Sequence, residues 1–245
     1  MGSATYRGYA LIIRIQHISL RSYGDLDILI KHSDIQKAYD ILLSSGYAPE
    51  LSLTPEKLLK YAAHEDNLSF FQKGNRVIIE LHWDLSGSYL ARPLTLQRLQ
   101  NNLQTITISG IQASSMSDEY LLVYLCVHGA KHKWERLEWI CGVASHLRSA
   151  QRLDWEAVLD FADELQCKRM LFLGLSLCHT LLNAEFPDLI LEEITQDTNL
   201  PGLVSDVHSS LFPLASDLST SHIKKRFSSF HMKVRDNYAD SLRVP

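Results

Sequence analysis

The chain has 245 residues, of which 46% are hydrophobic and 21% charged, and its formal net charge is −4. This composition is typical of a chain with a packed core and excludes a mainly disordered one. The negative charge disfavours a nucleic acid as partner, whereas a small anion such as a nucleotide needs only a local positive site.

The first half of the sequence mixes strand and helix patterns. Residues 9–16 are apolar on several sides, which predicts a buried helix that begins after Gly8. Residues 26–30 predict a short apolar strand, and the helical spacing of apolar residues after Ser33 predicts a helix that ends at Gly46. Further predicted elements are a helix from Thr54-Pro55, strands at 68–72 and 77–82 with a hairpin turn at 73–75, and a strand at 103–108.

The pattern changes near Ser114-Ser115 and is helical almost throughout from Ser117. Helices are expected at 138–148, from Trp155 with Asp154 as its N-cap, at 170–184 and in the basic tail at 222–238. We therefore predict an α+β fold: a mixed sheet with helices over residues 1–115, followed by an all-helical domain over residues 116–245.

Two acidic residues lie at the start of the strand Asp25-Leu26-Asp27-Ile28-Leu29-Ile30. Side chains alternate along a strand, so Asp25 and Asp27 project from the same face. Carboxylates on an apolar strand are costly to bury unless a positive charge compensates them. Mg²⁺, which prefers oxygen ligands, is the natural candidate for that charge. A simpler interpretation is that both acids lie at a solvated end of the strand.

Two further features favour the metal site. Glu80 is the single acid in the apolar run 77–81, and a third carboxylate on a neighbouring strand would complete a site for two cations. Gly8 precedes a predicted helix, whose free N–H groups would suit phosphate.

Several segments, taken in their order along the chain, resemble the nucleotidyltransferase superfamily of the DNA-polymerase-β type. Within that superfamily, they resemble the uncharacterised bacterial nucleotidyltransferases. The resemblance covers roughly Tyr6 to Pro187. It is carried by Arg7-Gly8, the run Arg21 to Ile30, the helix at 38–47, Glu80-Leu81-His82-Trp83, His128-Gly129-Ala130-Lys131-His132, and Leu153-Asp154-Trp155.

The resemblance implies a Mg²⁺-dependent enzyme that moves a nucleoside monophosphate from a nucleoside triphosphate such as ATP to a small-molecule or peptide acceptor. Asp25, Asp27 and Glu80 would bind the metal, with Glu80 alternatively acting as base for the acceptor hydroxyl. The nucleotide would meet Gly8, Tyr9, Arg21 and Gly24.

The alternative is a catalytically inactive nucleotide-binding or scaffold protein on the same fold. Tyr9 favours it, because the superfamily usually has a small residue after the glycine. This difference bears on turnover more than on the fold.

His128 and His132 are spaced so that both face one side of a helix, which can bind zinc. The HExxH glutamate is missing, since Gly129 follows His128, and we expect both histidines to face a cleft or domain interface without zinc. Trp134, Trp139 and Trp155 are expected to pack within the protein.

A cytoplasmic protein without a membrane partner is expected. No secretory leader is expected, because no basic-then-apolar segment precedes a small-residue cleavage site, and the longest apolar run, residues 170–182, is too short to span a bilayer. The four cysteines, Cys126, Cys141, Cys167 and Cys178, form no CxxC pair and are expected to be buried and reduced.

Overall fold

The computed structural model describes residues 11–12, 25–72, 74, 78–90, 92–108, 110–150, 152–213 and 229–236. The chain divides into two compact units. Unit 1 comprises Met1–Gly87 with Pro93–Ser117, and unit 2 comprises Ser88–Arg92 with Asp118–Pro245. Their assignment as a catalytic domain of residues 1–115 and a separate helical domain of residues 116–245 stays a prediction.

Unit 1 is built on one mixed sheet. Its strands are β1 (Leu11–Ile12), β2 (Asp25–Leu29), β3 (Tyr47–Pro49), β4 (Asn67–Gln72), β5 (Ile78–His82), β6 (Leu103–Ile108) and β7 (Ile111–Met116). Within the described ranges their order is β3-β4-β5-β2-β1-β7-β6. β2 runs parallel to β5 and β1 parallel to β7, while the other neighbours are antiparallel.

Among the described residues, six helices begin close to the residues that the sequence indicates, whereas three others, at 96–99, 188–196 and 200–211, were not individually predicted. Unit 1 contains α1 (Ile35–Ser44), α2 (Pro55–Ala62) and α3 (Leu96–Leu99). Unit 2 contains α4 (Asp118–Lys131), α5 (Leu137–Ser149), α6 (Trp155–Glu164), α7 (Lys168–Leu182), α8 (Asp188–Gln196) and α9 (Leu200–Leu211). Asp154 caps α6 by accepting a hydrogen bond from the Ala157 N–H at 3.2 Å, as expected. The predicted α+β class is confirmed.

The helix predicted over residues 9–16 is wrong at Leu11 and Ile12, which form β1 between β2 and β7. A short apolar run is compatible with a buried strand as well as with a buried helix. Here the run forms a strand because it pairs with a strand on each side. The remaining residues of that prediction, including Gly8, lie outside the described part of the chain. The tail prediction at 222–238 is described only at 229–236, where residues 229–233 are helical.

One face of the sheet in unit 1 carries a hydrophobic core. α1 and α2 pack Ile35, Tyr39 and Leu58 against buried side chains of β4 and β5, and the Tyr39 and Phe70 rings meet edge to face at 5.5 Å. Burial alternates along β5, with Ile79 and Leu81 in this core. Glu80 and His82 alternate with these two residues, so their side chains project from the opposite face and remain only partly buried.

Two observations bear on the expected location. Cys126, Cys167 and Cys178 are buried, but the expected burial is wrong for Cys141, which is exposed because the buried side of α5 is formed by Ile140, Val143 and Ala144. Among the residues described, no helix combines the length and apolarity that crossing a bilayer requires. The cytoplasmic location stays a prediction.

Unit 2 packs around α7, which contacts α4, α5, α6 and α9. Trp134 is fully buried in this core. The chain reaches it by a tight reversal after α4, in which Lys133 and Trp134 adopt φ values of 55° and 54° and the Trp134 N–H donates to Gly129 O. A Cβ atom on Gly129 would lie 2.5 Å from the Trp134 ring, so the glycine provides the space that the tryptophan fills.

We expect Gly129→Ala to destabilise the protein by about 1–3 kcal/mol, because the added methyl group overpacks a core with no free volume at this point. Urea denaturation measures the change. Gly202→Ala in α9 is the matched control: a Cβ there meets nothing within 4 Å, so stability should stay unchanged or rise by up to about 1 kcal/mol. Equal destabilisation by both substitutions would contradict the role of Gly129.

Candidate metal and nucleotide site

The adjacency of β2 and β5 brings two of the predicted acids together. Their parallel register pairs Asp27 with Glu80 and Asp25 with Ile78. Directly paired residues project from the same face of a sheet, so the Asp27 and Glu80 carboxylates share the face opposite the core. Asp25 occupies the first position of β2, and its side chain lies outside the described part of the structure.

A histidine lies between the two carboxylates. The His82 Nε2 atom is 3.1 Å from Asp27 Oδ1 and 3.3 Å from Glu80 Oε2. Asn67 on β4 donates from Nδ2 to the same Glu80 oxygen at 3.5 Å. The side chain of His82 is 12% exposed and those of the two acids are 28% exposed, so the cluster is partly accessible to solvent.

His82 was not predicted as a site residue, although the sequence contains a signal for it. It follows Glu80 by two residues on a predicted strand, and this spacing places both side chains on one face. The residue identities alone did not indicate that β2 would pair with β5 in the register that adds Asp27 to the same cluster.

The carboxylates keep a proton on His82. Burial lowers the pKa of His82, but hydrogen bonds to Asp27 and Glu80 and the negative charges of both outweigh burial and raise the pKa to about 9. In the absence of a metal, an imidazolium at neutral pH thus offsets one of the two negative charges.

The donor set of the cluster fits a divalent cation. One ligand atom from each of Asp27, Glu80 and His82 lies within 4.8 Å of the other two. Adjacent ligands around a six-coordinate ion with bonds of about 2.1 Å are about 3 Å apart, which is close to the two separations measured from Nε2. Carboxylate oxygens suit Mg²⁺, whereas an imidazole nitrogen suits first-row transition metals better.

The residues assigned to the nucleotide lie outside the described ranges. These are Gly8, Tyr9, Arg21 and Gly24. The structure therefore adds nothing to their assignment, which stays a prediction.

The histidines of the HGAKH segment form an aromatic group in unit 2. The rings of His128 and His132 are 4.7 Å apart, and both contact the Trp139 ring, at 5.6 and 5.2 Å. The Arg136 guanidinium lies 5.9 Å from the centre of the same ring. Among the described residues, the side chains that could together hold a metal ion are those of Asp27, Glu80 and His82. Neither His128 nor His132 belongs to this group.

A separate cavity of about 410 Å³ lies in unit 1 beside Ile30 and Trp83. Both residues belong to the core on the helix-covered face, opposite Glu80 and His82. The described residues that line the cavity include Lys31 and His32 but no carboxylate. The cavity is therefore separate from the cluster of Asp27, Glu80 and His82.

The raised pKa of His82 predicts how the metal-free protein responds to pH. An unfolded histidine has a pKa of about 6.5, so the stabilisation from proton binding is complete below pH ~6.5 and is lost as pH rises through about 9. With a chelator present, the free energy of unfolding of the wild type should fall by on the order of 1–3 kcal/mol more than that of His82→Gln across this range. Denaturant titrations at a series of pH values measure it.

The exposed His64, also in unit 1, provides the control. His64→Gln should keep the wild-type pH dependence. If wild type and His82→Gln have the same pH dependence, the carboxylates do not hold a proton on His82.

Comparison with known proteins agrees with this arrangement. A family model described as "Uncharacterised nucleotidyltransferase" matches residues 6–183, which is more than half of the chain and includes β2, β5 and the HGAKH segment. No curated protein and no solved structure matches the chain significantly. The chain belongs to this uncharacterised nucleotidyltransferase family.

Proposed function

We propose that this chain is a metal-dependent nucleotidyltransferase, which moves a nucleoside monophosphate from a nucleoside triphosphate to a small-molecule or peptide acceptor. The observation that carries the proposal is the pairing of Asp27 with Glu80 on adjacent parallel strands, in a chain that belongs to a nucleotidyltransferase family. Paired carboxylates of this kind can hold a divalent ion, and the ion in turn binds the phosphate oxygens of a triphosphate.

Asp27 and Glu80 would hold the ion, and Asp25 is proposed as the third carboxylate because it shares β2 with Asp27. Mg²⁺ is the ion expected from the carboxylates. When bound, such an ion neutralises charge on the phosphates and polarises the phosphorus that is attacked.

The side chains of this cluster contribute orientation. The His82 contact to both carboxylates and the Asn67 hydrogen bond to Glu80 limit the rotation of the acids, and each of these residues lies on a strand of the sheet. Groups fixed before the reaction need little reorganisation when charge develops on the phosphates. Glu80 is also a candidate base for the acceptor hydroxyl, since it is partly exposed.

The triphosphate is proposed to lie against Gly8, Tyr9, Arg21 and Gly24. This assignment depends on the family resemblance. Arg21 would supply positive charge to the phosphates, and the backbone N–H groups of Gly8 and Tyr9 would supply hydrogen-bond donors.

Asp27→Asn should lower the rate of pyrophosphate release by about 100-fold or more, because it removes one charge from a preorganised site while keeping its shape. The assay screens four nucleoside triphosphates with Mg²⁺ against a panel of hydroxyl and amine acceptors. Wild type should also melt at a higher temperature with Mg²⁺ and nucleotide, and Asp27→Asn should lose most of this shift.

Asp40→Asn is the matched control, because Asp40 is an exposed aspartate on α1 whose carboxylate accepts a hydrogen bond from Gln36. It should keep both the rate and the melting shift. A wild type that melts higher with nucleotide yet releases no pyrophosphate with any acceptor would support the non-catalytic, nucleotide-binding alternative. The absence of any shift would exclude a metal and nucleotide site here.

A further inference from the structure

The cluster of Asp27, Glu80 and His82 contains an imidazole, a ligand type that the carboxylate site predicted from the sequence does not include. β2 contributes Asp27, and β5 contributes both Glu80 and His82. The imidazole is the least exposed of the three side chains, at 12%, and its Nε2 atom is directed at both acids. Its position is thus central to the cluster.

One imidazole N–H satisfies the two acids incompletely. Nε2 carries at most one hydrogen atom, and the two carboxylate oxygens at 3.1 and 3.3 Å must share it. A divalent cation would balance both acids and at the same time accept the lone pair of a neutral imidazole.

We propose that His82 is a metal ligand through Nε2, beside Asp27 and Glu80, and that it makes the site prefer Mn²⁺ to Mg²⁺. The inference rests on the proposed function, because it concerns the same metal site. Its physical basis is that Mg²⁺ favours oxygen ligands and keeps several waters, whereas imidazole nitrogen binds first-row transition ions more strongly. The spacing of the three ligand atoms already allows a shared ion.

The competing explanation is that His82 only orients the acids by hydrogen bonds. In that case the ion would contact oxygen atoms alone, and the choice between Mn²⁺ and Mg²⁺ would not depend on the histidine. The two explanations differ in whether a nitrogen nucleus is bonded to the ion.

Pulsed electron paramagnetic resonance of the full-length protein with Mn²⁺ alone detects this bond directly. We expect a nitrogen coupling of the size found for a directly bound imidazole in the wild type, and its loss in His82→Gln. The coupling should also change when the protein is produced with ¹⁵N-labelled histidine. This measurement on the wild type does not depend on whether any variant folds.

Competition between the two ions provides the second measurement. The Mg²⁺ concentration that displaces half of the bound Mn²⁺ should fall by about 10-fold or more in His82→Gln, because an amide oxygen replaces the nitrogen ligand. His64→Gln, at an exposed histidine of the same unit, is the matched control and should leave this concentration unchanged.

Each outcome has a distinct meaning. Mn²⁺ that binds the wild type without nitrogen coupling, and whose binding is weakened by Asp27→Asn but not by His82→Gln, would overturn the inference and leave the proposed function intact. A wild type that binds neither Mn²⁺ nor Mg²⁺ would overturn the inference together with the metal site. Nitrogen coupling without pyrophosphate release from any nucleotide would support the inference and contradict the catalytic proposal.

Discussion

The parallel pairing of β2 with β5 is the constraint on which the candidate site depends. The two strands are far apart in sequence, and their register decides that Asp27 faces Glu80. A slip of one residue would turn the acids of one strand to the opposite face, where the helices cover a hydrophobic core. The apolar side chains that β2 and β5 direct to that face, including Ile28, Ile79 and Leu81, therefore favour this register and, through it, the distance between the carboxylates.

The proposed metal site must meet two conflicting requirements. Carboxylates that are partly removed from water need compensating charge, while a metal site must remain open to its ion. His82 and Asn67 meet the first requirement through contacts to Glu80 and, for His82, to Asp27. The partial exposure of both acids meets the second.

The HGAKH segment of unit 2 contributes to the packing of the protein. In the HGAKH segment, Gly129 makes room for Trp134, and the two histidines pack with Trp139. Tyr89 links the end of α4 to the chain near residue 231, because its hydroxyl donates to Ala130 O at 3.1 Å and is 2.7 Å from His231 Nδ1. Burial, followed by the positive charges of Lys133 and Arg235, lowers the pKa of His231 to about 4, so this contact is made by a neutral imidazole.

The sequence by itself determined the α+β class and most of the predicted helix boundaries, and it singled out Asp27 and Glu80 as candidate site residues, because periodicity, capping residues and isolated acids in apolar strands are local signals. It did not determine that Leu11 and Ile12 form a strand, since a short apolar run suits a helix equally well until partners lie on both sides. Nor did it assign a role to His82, whose contact with Asp27 spans 55 residues. Only tertiary structure decided that contact, because strand register is a property of the assembled sheet and its core.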